Sequence, residues 1–299
     1  MEKYLRIILT NKCNLHCTYC FSENYPKGNE EIKPDMLKQT LQKSGIRKFN
    51  KIVLTGGEPT LNSYFKENAR IAKNFAKELN LTTNGTTITE KSEVLELLRE
   101  NVIDTITFSL DRLLPEEFRL YSKHDTEFYY KILKGIELIS KDYSQKITIN
   151  FLVTLRNLDE LFQNILFLNS KYKISNFTFL PLIENRKVVP FDSKIPDEEK
   201  IKAVDIFYYF IAKLKEKRIP FTTSFLKETI KYQIYLPRQK IKVLVNEQFF
   251  DVFEIIRKDV LKEFSWFAIT PDYKLITPTL KVVPVVENWY NFYKNKKQI

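Results

Sequence analysis

Cys13, Cys17 and Cys20 are the three cysteines of a 299-residue chain; they fall in the stretch CNLHCTYC, and none follows Cys20. An odd, clustered set of thiols argues against a disulfide framework and for a metal or reactive site. A cubane [4Fe-4S] cluster normally takes four thiolates, so three leave one iron open. The amino and carboxylate groups of S-adenosylmethionine can chelate an open iron, which sets the sulfonium beside a reducible cluster. Cleavage then yields a 5'-deoxyadenosyl radical, a reagent that the protein need only orient and shield. Zinc is the competing assignment, because it takes four tetrahedral N/S ligands and His16 or His124 could supply the fourth. His16, however, lies inside the gap between Cys13 and Cys17, and no second ligand pair follows at zinc-finger spacing. The expected cofactors are one [4Fe-4S] cluster and S-adenosylmethionine.

Such a loop needs a rigid strand behind it, and short β-rich runs alternate with helix-period stretches along the chain. Strands are expected at 4–10, 51–55, 79–83, 104–110, 146–153 and 174–182. Helices are expected at 35–44, 63–78, 90–100, 115–141, 158–172 and 197–218, the third capped by Thr89 and the fourth carrying Pro115 in its first turn. This alternation demands parallel strands with helical crossovers of one hand. Six units are too few for a closed eight-stranded barrel. The fold class is therefore α/β, a partial (β/α)6 TIM-like barrel with a smaller C-terminal α+β extension, and ligands belong at the C-terminal strand ends. The division expected is 1–195 for the core and 196–299 for the sixth helix and a substrate-side domain, with a turn-rich link at 188–196.

Composition agrees with an ordinary globular chain: 43% hydrophobic, 28% charged, 12 Pro and 6 Gly. No stretch approaches the ~20 apolar residues of a membrane span, and the N-terminus is too charged for a signal peptide, so a cytoplasmic chain with no membrane partner is expected. Lys and Arg outnumber Asp and Glu by 48 to 37. That excess suits an anionic substrate, but most lysines sit beside glutamates on expected helices, so nucleic acid is not the expected partner.

Further groups stand where strands end. TGGEP ends strand two; Gly56 and Gly57 allow close backbone approach, and Glu58 can accept from a ligand ammonium. TTNG ends strand three, and Thr83 and Asn84 either line a pocket or form an Asn-Gly turn. SLD ends strand four, where Ser109 and Asp111 can meet a ribose or methionyl end, or Asp111 can cap the next helix. Asn150, inside strand five, should point into the barrel, since burial without a partner is costly. Leu180 and its neighbours would offer apolar and backbone contacts to adenine.

CxxxCxxC with aromatic Tyr19 before the last cysteine resembles the radical S-adenosylmethionine superfamily, and the resemblance makes GGEP its methionine-binding motif. Residues 4 to 185, through LTGGEPTL, LTTNGT, ITFSLD and PEEF, look most like the GTP 3',8-cyclase branch and its peptide-maturing relatives. Arg6 and Lys51 match basic positions in those cyclases, but Val53 stands where they are basic. The three C-terminal cysteines of their second cluster and their terminal Gly-Gly are also missing. FAITPDYKLITPTLKV, 267–282, resembles the hairpin of SPASM-type enzymes, with Tyr273 for the usual Gly and Pro278 and Thr279 where a cysteine is expected; a hairpin of no shared origin stays open. Stretches 197–218 and 247–264 read as helical, with Phe207, Tyr208, Phe210, Phe249, Phe250 and Phe253 as core packing.

The resemblance implies an enzyme that abstracts hydrogen from a peptide, nucleotide or other small-molecule substrate and takes its electron from an external reductant such as flavodoxin or ferredoxin. The alternatives are a non-catalytic cluster-carrying or regulatory protein, and a viperin-like nucleotide dehydratase, to which the strand ends are less similar. A mere binding module gains nothing from leaving one iron open.

Overall fold

The computed structural model describes residues 3–20, 31–181, 199–226 and 231–246, together with strands at 252–255, 266–269 and 275–279. Strands β1 (Tyr4–Ile8), β2 (Phe49–Thr55), β3 (Ala76–Thr83), β4 (Thr105–Ser109), β5 (Ile147–Val153) and β6 (Asn176–Pro181) pair in that order, each parallel to the next. Helices α1 (Pro34–Lys43), α2 (Phe65–Asn74), α3 (Glu93–Arg99), α4 (Pro115–Ser122), α5 (Thr126–Tyr143), α6 (Leu161–Tyr172) and α7 (Ala203–Glu216) fill the crossovers. The remaining strands are β7 (Thr222–Leu226), β8 (Lys231–Leu236), β9 (Ile241–Asn246), β10 (Val252–Ile255), β11 (Trp266–Ile269) and β12 (Leu275–Thr279). They join the same sheet at both edges, giving the order β10-β12-β11-β1-β2-β3-β4-β5-β6-β9-β8-β7. Because β11 runs parallel to β1 and β9 parallel to β6, the parallel run is longer than the six strands expected, yet the sheet does not close. The fold is an α/β partial barrel.

One face of each strand carries the core. Ile52 and Leu54, Leu79 and Leu81, Ile106 and Phe108, Ile149 and Phe151, and Phe177 and Phe179 are fully buried against the helices. The alternate positions, among them Arg6, Lys51, Asn80, Thr107, Ser109, Asn150 and Thr178, are half-buried or polar, as a lumen-facing row of a barrel must be.

Several boundaries differ from the sequence reading. Helix 63–78 stops at Asn74, because Ala76 to Glu78, good helix formers, pair in register with Phe49 to Lys51; sheet formation overrides propensity there. Helix 115–141 is two helices broken at left-handed Lys123, with Asp125 at the next N-cap. Ser92, not Thr89, is the N-cap of α3, and a 3-10 turn at Leu155–Glu160 precedes α6. Part of the expected helix 247–264 is strand β10; in VFEI a period of two and a period of 3.6 are not separable. The hairpin at 267–282 exists as β11–β12, with Ala268 opposite Ile276. The link 188–196, Phe249, Phe250, Tyr273 and the basic tail at 294–297 lie outside the described residues.

Candidate functional site

Cys13, Cys17 and Cys20 occupy the loop after β1, and all three are partly exposed thiols. Backbone bonds hold this loop from two sides. The C-terminal turn of α4 receives His16 N–H at the Ser122 carbonyl (3.2 Å) and Thr18 N–H at the Tyr121 carbonyl (2.8 Å). The end of β2 reaches in with Gly57 N–H to the Thr10 carbonyl (2.8 Å) and Glu58 N–H to the Lys12 carbonyl (2.7 Å). That approach needs bare glycine: a Cβ on Gly57 would lie 2.3 Å from the Lys12 carbonyl oxygen, and one on Gly56 2.4 Å from that of Thr10.

Two donors point at Cys13: the Leu15 N–H lies 3.4 Å and Asn84 Nδ2 3.9 Å from its sulfur. Burial lifts the Cys13 thiol to about 11 and Cys17 higher still, with Asp111 adding to the latter. Cys20 raises both, and Cys13 raises Cys17, so the thiols lie close enough to act on one another. Thiols this reluctant to ionise gain most from a cation that binds the thiolate form, because ligation and deprotonation are linked. No three metal-ligating side chains among the described residues converge on a single-ion site. Three thiols on one loop, amide and carboxamide donors aimed at sulfur, and a glycine cradle beside them fit the cluster.

Glu58 is fully buried beside them. Its Oε1 accepts from Thr60 N–H (3.2 Å), Thr60 Oγ1 (2.6 Å) and Thr83 Oγ1 (2.8 Å), and its Oε2 from Asn84 N–H (2.7 Å). Burial still leaves its pKa raised, only partly offset by these donors. Oε2 accepts one bond where a carboxylate oxygen has two lone pairs, so it retains capacity for an ammonium. Glu58→Gln should therefore keep the cluster but set an amide N–H2 against donors and remove the charge. With a charged hydrogen bond worth about 1.5–3 kcal/mol, affinity for S-adenosylmethionine should fall roughly ten- to a hundredfold. Titration calorimetry checks it; equal affinities would remove Glu58 from the ligand site.

The other expected residues divide. Thr83 supports Glu58, while the Asn84 side chain serves the cysteine loop, donating to Asn14 Oδ1 (2.9 Å) and accepting from Thr86 Oγ1 (2.7 Å). Asn-Gly turn and pocket wall are thus the same structure, since Gly85 takes a positive φ of 79°. Ser109 and Asn150 are register partners on half-buried positions of β4 and β5, and Leu180 is half-buried on β6. Asp111 does not cap α4, whose N-cap is Leu114. Instead its carboxylate accepts from Leu152 N–H (3.0 Å) and from the Tyr19 hydroxyl.

Sequence reasoning missed Asn14, Thr60, Thr86 and Arg112, which act through other residues, and it missed Lys231 and Lys242. Burial lowers the pKa of Lys231, and so do Lys51, Arg6 and Lys242. On a flat sheet β8 and β1 would stand about 34 Å apart at ~4.8 Å per strand, beyond the screening length. The sheet must curl to bring β8 across from β1 and β2. Four cations from four strands thus face one lumen, with Glu78 answering Lys51 at 2.8 Å.

An open parallel barrel with three thiols after its first strand and a buried carboxylate after its second is the framework of an enzyme that binds S-adenosylmethionine at a cluster. The profile of the Radical SAM superfamily matches residues 7–168, and the chain belongs to that superfamily of enzymes. It is 34% identical over 137 residues to a probable GTP 3',8-cyclase of Pyrococcus abyssi, spanning 46% of this chain and 43% of that one. To the probable GTP 3',8-cyclase of Methanococcus aeolicus it is 31% identical over 215 residues, 68% of each. In structure it is similar to Streptococcus suis SuiB bound to S-adenosylmethionine, with a TM-score of 0.64 at 15% identity over 95% of this chain and 62% of that one. It is also similar to anSMEcpe with bound AdoMet and a peptide, with a TM-score of 0.55 at 21% identity over 73% and 60%. The chain thus spans less than half the length of the Pyrococcus relative. The family implies that S-adenosylmethionine and an iron-sulfur cluster bind here.

Proposed function

We propose that this chain holds a single [4Fe-4S] cluster on Cys13, Cys17 and Cys20 and uses it to generate a 5'-deoxyadenosyl radical that abstracts hydrogen from an anionic substrate in the lumen. When bound, the cluster supplies the electron that cleaves S-adenosylmethionine. The chain's own residues do the rest: Glu58 receives the methionyl ammonium, Ser109 and Asn150 line the ribose side, and Leu180 offers apolar surface to adenine. The observation that carries the reading is the joining of the cysteine loop and the Glu58 turn by two backbone bonds at adjacent strand ends. An electron donor of the flavodoxin or ferredoxin kind fits a partly exposed cysteine loop, and a reducing cytoplasm fits its thiols. Residues 1–195 serve as the core and 196–299 contribute the substrate side, through Lys231 and Lys242. No described helix is long and apolar enough to cross a membrane.

An anionic substrate is supported by the four lumen cations and by the relatives' name, GTP 3',8-cyclase. Val53 in place of a basic residue argues against cyclisation of GTP itself. Anaerobic reconstitution followed by dithionite and S-adenosylmethionine should release 5'-deoxyadenosine, and its absence from a fully loaded protein would refute the enzymatic reading. Inorganic triphosphate should bind the loaded protein, and Lys231→Met should weaken it at least tenfold. Unchanged binding in calorimetry would leave the lumen without its anion.

A further inference from the structure

Strand β9 sends alternate side chains to opposite faces. Val243 and Val245 are fully buried in the core, so Lys242, Leu244 and Asn246 belong to the lumen row. Register places Asn246 at the catalytic end of that row. Phe179 pairs with Val245, and one step further Asn246 stands beside Leu180 at the C-terminal end of β6. On its other side it pairs with Lys231 of β8, and directly opposed residues share a face with Cβ atoms about 5 Å apart. Ile234 and Leu236 fill the core from β8, which leaves Lys231 on the lumen side as well.

Asn246 is 8% exposed, and its side-chain oxygen is buried with no hydrogen-bond partner among the described residues. A buried acceptor without a donor is costly, and folded proteins keep few of them. The charges around it are of one sign: Lys51, Arg6 and Lys242 all lower the pKa of Lys231. Such a field turns the oxygen end of a carboxamide toward the lumen. Two adjacent positions then ask different things of one ligand. The Lys231 ammonium can only donate, so it takes an anion, whereas the Asn246 oxygen can only accept, so it takes an N–H or O–H. A bare carboxylate meets the first demand and not the second. We propose that Asn246 is a specificity-determining residue whose carboxamide oxygen accepts from an N–H or O–H donor that the substrate carries beside the anionic group held by Lys231. The proposal rests on the anionic substrate put forward above and narrows it to acids with a donor next to their charge, as in amido, amino or hydroxy acids.

The test is titration calorimetry of the anaerobically reconstituted protein with two probes of similar charge and shape. Imidodiphosphate has a bridging N–H, and methylenediphosphonate has a CH2 in its place. Wild type should bind imidodiphosphate at least about tenfold more tightly, as one satisfied buried acceptor allows. Asn246→Leu, close in shape but without the oxygen, should bring the two affinities to within about twofold by weakening imidodiphosphate alone. Its Tm should match or exceed that of wild type, because an unsatisfied buried acceptor is gone. A carboxamide that merely holds the strand end would show the reverse, a lower Tm with the preference kept. Asn246→Ala should lose the preference in the same way, which keeps the test open if the leucine variant does not fold. Equal binding of the two probes by wild type, or a preference that survives either substitution, would overturn this proposal alone. Binding of neither probe would remove the anion from the lumen, and this proposal with it.

Discussion

Cys17→Ala should yield a folded chain that retains no intact cluster, with the ~400 nm iron-sulfur absorbance lost and 5'-deoxyadenosine production at background. The same holds for Cys13→Ala and Cys20→Ala, because no other thiol exists to replace any of them. The fold itself should survive. All three thiols are partly exposed, and the loop's backbone is held by carbonyls of Thr10, Lys12, Tyr121 and Ser122 that no side-chain change removes. Circular dichroism should therefore match wild type while iron content falls from about four per chain. Cysteine arithmetic also limits the wild type to one cubane, since soft thiolates retain such clusters and His124 is the one histidine after Cys20. An unchanged spectrum in any single variant, or clearly more than about four irons per chain in the wild type, would sink the assignment.

The order of the parallel strands was legible because β1 to β6 are buried on one face and alternate with amphipathic helices, a pattern that local sequence carries. Cys13, Glu58 and Ser109 were legible because strand ends in such a fold are where chemistry-bearing residues collect. What escaped depends on distance in the chain. Lys231 and Lys242 sit on an antiparallel meander whose approach to Arg6 arises from the curl of the whole sheet, and nothing local marks them. Nothing local to Arg112, just ahead of PEEF, marks it as buried; it is enclosed by Tyr121 of α4 and by Leu152 and Thr154 at the end of β5, which are distant in the chain. Of the two roles open to Asp111, the helix cap is excluded by the structure: with a left-handed backbone, Asp111 gives its carboxylate to the Tyr19 hydroxyl and Leu152 N–H, and Leu114 is the N-cap. The strand at Val252–Ile255 was lost to the ambiguity of short aromatic runs.

Gly57→Ala should disable both halves of the site with one methyl group. A Cβ there meets the Lys12 carbonyl oxygen at 2.3 Å, its carbon at 2.7 Å and the Asn11 carbonyl oxygen at 2.8 Å, all backbone atoms that cannot rotate away. Relief to ordinary contact of 3.4 Å or more requires the segment at Asn11 and Lys12 to move by about an ångström relative to the β2 end. Cys13 follows Lys12 directly, and Glu58 follows Gly57, so whichever side yields, a cluster ligand or the ammonium acceptor is displaced. The Glu58 N–H to Lys12 bond, 2.7 Å, is the first to break. Gly45→Ala separates this effect from general destabilisation. Gly45 has a positive φ of 68° but nothing within 4 Å of an added Cβ, so alanine there strains the backbone by ~1–2 kcal/mol away from the site. That variant should lose a few degrees of Tm and keep full iron content and S-adenosylmethionine affinity. Gly57→Ala should fall well short of wild-type iron and bind S-adenosylmethionine at least about a hundredfold more weakly, a loss of roughly 2.7 kcal/mol. If iron analysis and calorimetry found both variants equally loaded and equally tight, the contact between the two strand ends would be incidental, and the site would have to be built from the cysteine loop alone.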